Sequence, residues 1–127
     1  MPTLKQATKV CRKLSHQYGI LQPPEVIPLK YSHVGKCVVL GFFDHINNRL
    51  EVNRYCFDLW NMEQIKETIQ HELVHAACYQ KYGKDYDGAH DKRFKDMCRS
   101  FGITGNVALA RKRPNYTPTL LTTTFPT

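Results

Sequence analysis

His71 and His75 stand four residues apart in the run His71-Glu72-Leu73-Val74-His75, with Glu72 directly after the first of them. On an α-helix this spacing projects both imidazoles from one face, where they can ligate one metal ion. Glu72 points elsewhere, close enough to reach a water on that ion without ligating it. Zinc held by three protein ligands keeps one position for water and lowers that water's pKa to about 7. A carboxylate beside it can take the proton during attack and deliver it to a leaving amine. The pattern therefore asks for Zn2+ as cofactor, His71 and His75 as ligands, Glu72 as catalytic base, and one further ligand.

The third ligand separates the types of site that share this motif. One type needs a glycine three residues after His75 and a histidine six after it; Cys78 and Lys81 stand there instead. Another type needs a downstream glutamate, and Glu72 is the last Glu in the chain. His90 is the one histidine downstream, and the loop from Gly83 to Gly88 gives the chain room to turn back and present it. His71, His75 and His90 form the simple three-histidine set. Cys78, seven residues after His71 on the same helix, is the alternative as a thiolate ligand, although a small buried cysteine is the commoner role there. His16, His33 and His45 lack ligand spacing and are expected at the surface.

The elements that must position these groups follow from periodicity. Leu4, Ala7, Cys11, Leu14 and Tyr18 recur at helical spacing over 3–18, with Lys5, Lys9, Arg12, Lys13 and His16 on the other side. Thr3 with Gln6 makes a capping-box pattern, and Gly19 can end the helix. After the Pro23-Pro24 break come three strand candidates, near 25–32, 36–44 and 49–56, with a turn at Asn47-Asn48. Pro28 places the first of them at an edge or bulge. Gly41 interrupts the second and marks a bulge or a close backbone approach. A second helix is expected from Asn61, its N-cap, to Lys81, with Gly83 as stop and Met62, Ile65, Ile69, Leu73, Ala76 and Tyr79 facing the core. A third, near 91–101, carries Phe94, Met97, Cys98 and Phe101. The fold class is α+β: an N-terminal helix, a small three-stranded, mainly antiparallel sheet, the motif helix and a C-terminal helix. Residues 1–105 make one domain, and 106–127 a basic tail.

At 127 residues, 42% hydrophobic and 23% charged, the chain suits one globular domain. Its longest apolar runs fall well short of the ~18 residues a membrane span requires, and no contact with a membrane is expected. Met1-Pro2-Thr3-Leu4-Lys5 lacks the apolar stretch of a secretory signal. Five scattered cysteines, without a C-x-x-C pair, point to neither a zinc ribbon nor a disulfide framework, so a cytoplasmic setting with reduced thiols is expected. The formal charge of +7 is uneven: residues 1–30 hold five basic and one acidic side chain, and 91–127 hold seven and two. Basic ends suit contact with DNA, and equally a solvated surface. The run Arg111-Lys112-Arg113, with Tyr116 after it, is the candidate for phosphate and base contacts.

Over roughly residues 5–105 these features resemble the SprT-like family of zinc metalloproteases, whose eukaryotic members include the Spartan proteases. The resemblance rests on the N-terminal helix, the strand Arg49-Leu50-Glu51-Val52-Asn53, the helix through His71-Glu72-Leu73-Val74-His75-Ala76, and the block Gly88-Ala89-His90-Asp91-Lys92-Arg93-Phe94. It implies a zincin-like minidomain with His71, His75 and His90 on zinc, Glu72 as base, and protein substrates, in some members proteins bound to DNA. The chain departs from many members in having no cysteine pairs for a C-terminal zinc ribbon, and in carrying Asp91 where a glycine is usual.

The leading expectation is therefore a monomeric zinc metalloprotease acting on protein substrates, with DNA association through its basic segments. A nucleic-acid-binding module with a structural zinc and no proteolysis, or a zinc amidase acting on a small molecule, stand beside it.

Overall fold

The computed structural model describes residues 3–29, 33–34, 37–38, 41–53 and 62–103. The expected tail 106–127 with Arg111–Arg113 and Tyr116, the N-cap at Asn61 and the outer ends of the strand candidates lie outside these residues. So does the expected boundary after residue 105.

Helix α1 spans Leu4–Gln17, and its capping box is formed: Thr3 Oγ1 accepts from the Gln6 N–H while Gln6 accepts from the Thr3 N–H. Ala7, Cys11 and Leu14 are buried as the periodicity predicts. Leu4 departs from that stripe. It is 43% exposed and lines a surface groove with Lys5, Thr8, Lys9 and Arg12 instead of entering the core.

Among the described residues five strands follow: β1 Glu25–Leu29, β2 His33–Val34, β3 Cys37–Val38, β4 Gly41–Asp44 and β5 Arg49–Asn53. β2 and β3 pair antiparallel as a short ribbon. The main sheet has the order β1-β5-β4. β4 and β5 form the expected hairpin, in register Asp44 to Arg49 and Gly41 to Val52. Asp44 Oδ1 accepts from the Ile46 and Asn47 N–H groups, and Asn48 takes the left-handed conformation (φ 52°) that asparagine tolerates. β1 instead runs parallel to β5, Glu25 opposite Arg49 and Leu29 opposite Asn53, so the sheet is mixed where mainly antiparallel pairing was expected. β5 lies between β4 and β1 and pairs with both, antiparallel to the first and parallel to the second, a non-local pairing that no turn residue encodes. Among the described residues β1 is an outer strand, and a missing N–H at Pro28 is tolerated there. One face of the sheet, with Val26, Phe43, Leu50 and Val52, is buried.

Helix α2 spans Met62–Tyr82 and touches α1, β4, β5 and the next helix. Gly83 ends it in the left-handed region (φ 58°), as glycine permits. Its first half buries Ile65, Thr68 and Ile69. From His71 to Cys78 every residue is buried, so this stretch is not the one-sided stripe expected of a surface helix. A single-turn 3-10 helix, Gly83–Asp85, and helix α3, Lys92–Ser100, close over the second side. Two apolar clusters result: one joins α1, the sheet and α2 around Leu50, Ile69 and Leu73, and the other joins α2 to α3 through Val74, Cys78, Phe94, Cys98 and Ile103. Gln80 links α1 to α2, accepting from the Leu21 N–H at 2.9 Å and donating to the Gly19 carbonyl at 3.0 Å. Among the described residues no helix is long and apolar enough to cross a membrane.

Leu50, fully buried in the middle strand, tests this packing. Leu50→Ala should cost about 2–5 kcal/mol of unfolding free energy, read by urea titration; a loss under about 1 kcal/mol would mean that the sheet does not pack as described.

Candidate metal centre

The buried second half of α2 presents His71 and His75 one helical turn apart, 2% and 8% exposed. The chain leaves α2 at Gly83, crosses the 3-10 turn and returns with His90 just before α3. The three Nε2 atoms converge: His90 Nε2 lies 2.9 Å from that of His71 and 3.2 Å from that of His75. Among the described residues this is the group of side chains whose donor atoms could hold a metal ion, all within 4.8 Å of one another. Two nitrogens each 2.0–2.1 Å from a tetrahedral zinc lie about 3.3 Å apart, so the spacing suits such an ion.

The hydrogen bonds at His75 strengthen the fit. Tyr86 donates its hydroxyl proton to the Ala89 carbonyl at 2.9 Å. That oxygen can then only accept from His75, whose Nδ1 stands 2.7 Å away. His75 therefore carries its proton on Nδ1 and turns the Nε2 lone pair towards the cluster, as a metal ligand must. Burial pushes the Tyr86 hydroxyl well above the ordinary phenol range, so it stays a donor at neutral pH. Because Ala89 precedes His90, the one tyrosine ties two of the imidazoles together. Phe94, fully buried, floors the site, its ring centroid 5.0 Å from His71, 4.7 Å from His75 and 4.8 Å from His90.

His90 is fixed through the residue after it. Asp91 caps α3, accepting from the Arg93 and Phe94 N–H groups at 3.0 and 3.4 Å. Its other oxygen receives the Arg93 guanidinium at 2.6 Å, a contact that holds the carboxyl below the usual carboxylate range. Arg93 also donates to the Asp85 carbonyl and lies over the Tyr82 and Tyr86 rings, clasping the loop from both ends. Asp91 thus starts the helix that follows His90.

Glu72, 7% exposed, faces the sheet. A Cβ placed on Gly41 of β4 would come within 3.4 Å of Glu72 Oε2, so the carboxylate lies against that strand. Cys78, the alternative ligand, is fully buried and donates towards the Arg93 carbonyl at 3.7 Å. Burial pushes its thiol up to about 11, which keeps it protonated at neutral pH. His16 and His45 are exposed as expected, His45 stacking on Tyr79 at 4.1 Å. The structure thus brings together His71, His75 and His90 and leaves Cys78 outside the group.

Tyr86 was not singled out from the sequence. Its signal is an aromatic residue in an otherwise polar loop, four residues before the candidate third ligand. Thr68, which packs against Gly41, was also missed, because a contact between a helix and a strand leaves no local pattern.

The chain matches the SprT-like family over residues 8–114. Its fold is similar to the crystal structure of the metallopeptidase zymogen of Methanocaldococcus jannaschii jannalysin. The TM-score is 0.57 at 15% identity, covering 87% of this chain and 90% of that one. Among curated proteins none matches this chain in sequence.

The Tyr86 bridge makes a quantitative demand. Tyr86→Phe should weaken metal binding about 10–100-fold in a competitive chelator titration, while Cys78→Ser should leave it within about threefold. The opposite ranking would assign the site to the thiol.

Proposed function

The chain belongs to the SprT-like family, and from that premise we propose that it is a zinc metalloprotease hydrolysing peptide bonds, with His71, His75 and His90 as the zinc ligands and Glu72 as catalytic base. The observation that carries this reading is the convergence of three imidazole nitrogens, two of them from the helix that also buries Glu72. Three neutral nitrogen ligands leave one position open, the arrangement of a catalytic zinc; structural sites are closed by four protein ligands. Bound there, zinc would supply the Lewis acid that polarises a water and the scissile carbonyl.

The remaining work falls to the chain. Glu72 accepts the proton of the attacking water and passes it to the amide nitrogen as the C–N bond breaks, so the amine leaves neutral. Its burial beside β4 keeps competing water away and strengthens its electrostatic interactions. Tyr86 and Phe94 fix the imidazoles so that little reorganisation is needed. β4 is an outer strand of the main sheet among the described residues, and its backbone can align an extended peptide by strand addition.

The substrates in this reading are proteins held on DNA. Support comes from the net charge of +7 concentrated at the chain ends, and from the groove on α1 lined by Lys5, Lys9 and Arg12. An intracellular, cytoplasmic site of action, with the protein as a monomer, belongs to the same reading. It accords with the free buried thiols of Cys11, Cys78 and Cys98.

Glu72→Gln tests the proposal. Cleavage of an unfolded protein, with and without single-stranded DNA, should fall by about 10²–10⁴-fold while zinc affinity stays within about threefold. Stimulation by DNA should fade as salt rises. A variant that cleaves normally would remove Glu72 from catalysis. A wild type that binds DNA and zinc but cleaves nothing would favour the nucleic-acid-binding module.

A further inference from the structure

We propose that Gly41 is a positioning residue for Glu72: the missing side chain at this point of β4 sets how closely the strand and helix α2 approach at the turn bearing Thr68 and Glu72. This rests on the reading of Glu72 as the proton-transferring group.

Glycine is an unfavourable choice inside a strand, since it loses more backbone entropy than other residues and packs no side chain. Backbone torsion does not explain it here. Among the described residues the glycines with positive φ are Gly19, Gly83, Gly88 and Gly102, and Gly41 is not one of them. Space does explain it. An added Cβ would lie 2.9 Å from Thr68 Cγ2, 3.3 Å from the Glu51 carbonyl oxygen and 3.4 Å from Glu72 Oε2. Carbon atoms pack at about 3.5–4.0 Å, so the contact with Thr68 is a clash of more than half an ångström.

The neighbours have little freedom to yield. Thr68 is 4% exposed and its hydroxyl donates to the Gln64 carbonyl at 3.2 Å, so swinging the methyl away breaks that bond. The Glu51 carbonyl belongs to the backbone of the middle strand, directly beside β4. Strand and helix must separate instead. Thr68 and Glu72 are four residues apart on one helix face, and both meet the space over Gly41. Any displacement that relieves Thr68 is therefore delivered to the Glu72 carboxylate. His71 and His75 belong to the same turns of the helix, but their ring contacts are with His90 and Phe94, neither of which lies on β4, so a local shift of Glu72 leaves those contacts in place.

A different explanation would have position 41 empty so that a substrate backbone can approach β4. The two are separated by the atom that causes the clash. Thr68→Ser removes Cγ2 and keeps the hydroxyl. In Gly41→Ala/Thr68→Ser the remaining contacts are to oxygen, an ordinary one to Glu72 Oε2 at 3.4 Å and a tight one to the Glu51 carbonyl at 3.3 Å that a shift of a few tenths of an ångström relieves.

The experiment measures kcat, KM, zinc affinity and melting temperature for wild type, Gly41→Ala, Thr68→Ser and the double variant. Gly41→Ala should lower kcat by about 10–100-fold, with KM and zinc affinity within about threefold of wild type and a melting temperature lower by several degrees. The double variant should return to within about threefold of the Thr68→Ser kcat and recover most of the melting temperature. Wild-type kcat in Gly41→Ala overturns the proposal, as does a double variant no more active than Gly41→Ala. Should Gly41→Ala fail to fold, the double variant decides alone: folded and active supports the proposal, unfolded or inactive overturns it. An inactive wild type sinks the peptidase reading and this inference with it; an active wild type with an active Gly41→Ala sinks only the inference.

Discussion

Helix α2 carries two imidazoles and a carboxylate out of water, and the cost of desolvating them governs what surrounds them. His71, Glu72 and His75 are each less than a tenth exposed, so each requires polar company inside the protein. The third imidazole and the Tyr86 hydroxyl supply surroundings that a continuous apolar core would not. The loop from Gly83 to His90 accordingly runs back across the helix. Asp91 and Arg93 hold that loop in place, and Phe94 excludes water from beneath the three rings. A site of this kind sits between two apolar clusters because it separates them: one lies towards the sheet, the other towards α3.

Features written in local spacing were legible in the sequence. The capping box at Thr3 and Gln6, the left-handed stop at Gly83 and the turn at Asn47-Asn48 each involve residues within a few positions of one another, and all are formed. The grouping of His71, His75 and His90 was also legible, because the motif fixes two members, eliminating other ligand types left His90, and the three side chains do stand together. The SprT-like resemblance pointed the same way, and the family match over 8–114 covers most of the chain.

What escaped the sequence is non-local. The parallel pairing of β1 with β5 joins segments more than twenty residues apart, and no turn residue encodes it. The all-round burial of 71–78 depends on α3 folding back, whereas a single helix viewed alone gives only a one-sided stripe. Tyr86 reaches His75 across eleven residues and Gly41 meets Thr68 across twenty-seven. Gly41 was noticed as an interruption of a strand pattern, yet the sequence could not say that a helix, rather than another backbone, fills the space. Leu4 shows the converse error. Correct periodicity assigned it to the core, but the groove beside the basic side chains of α1 keeps it exposed.

The proposed chemistry requires the three imidazoles to hold one zinc ion. An anomalous difference map from zinc-soaked crystals, collected on both sides of the zinc absorption edge, tests this most directly. The predicted result is a single strong peak about 2.0–2.1 Å from the Nε2 atoms of His71, His75 and His90. A peak bonded to the Cys78 sulfur, or a histidine cluster without zinc in a protein that binds it elsewhere, would contradict the account.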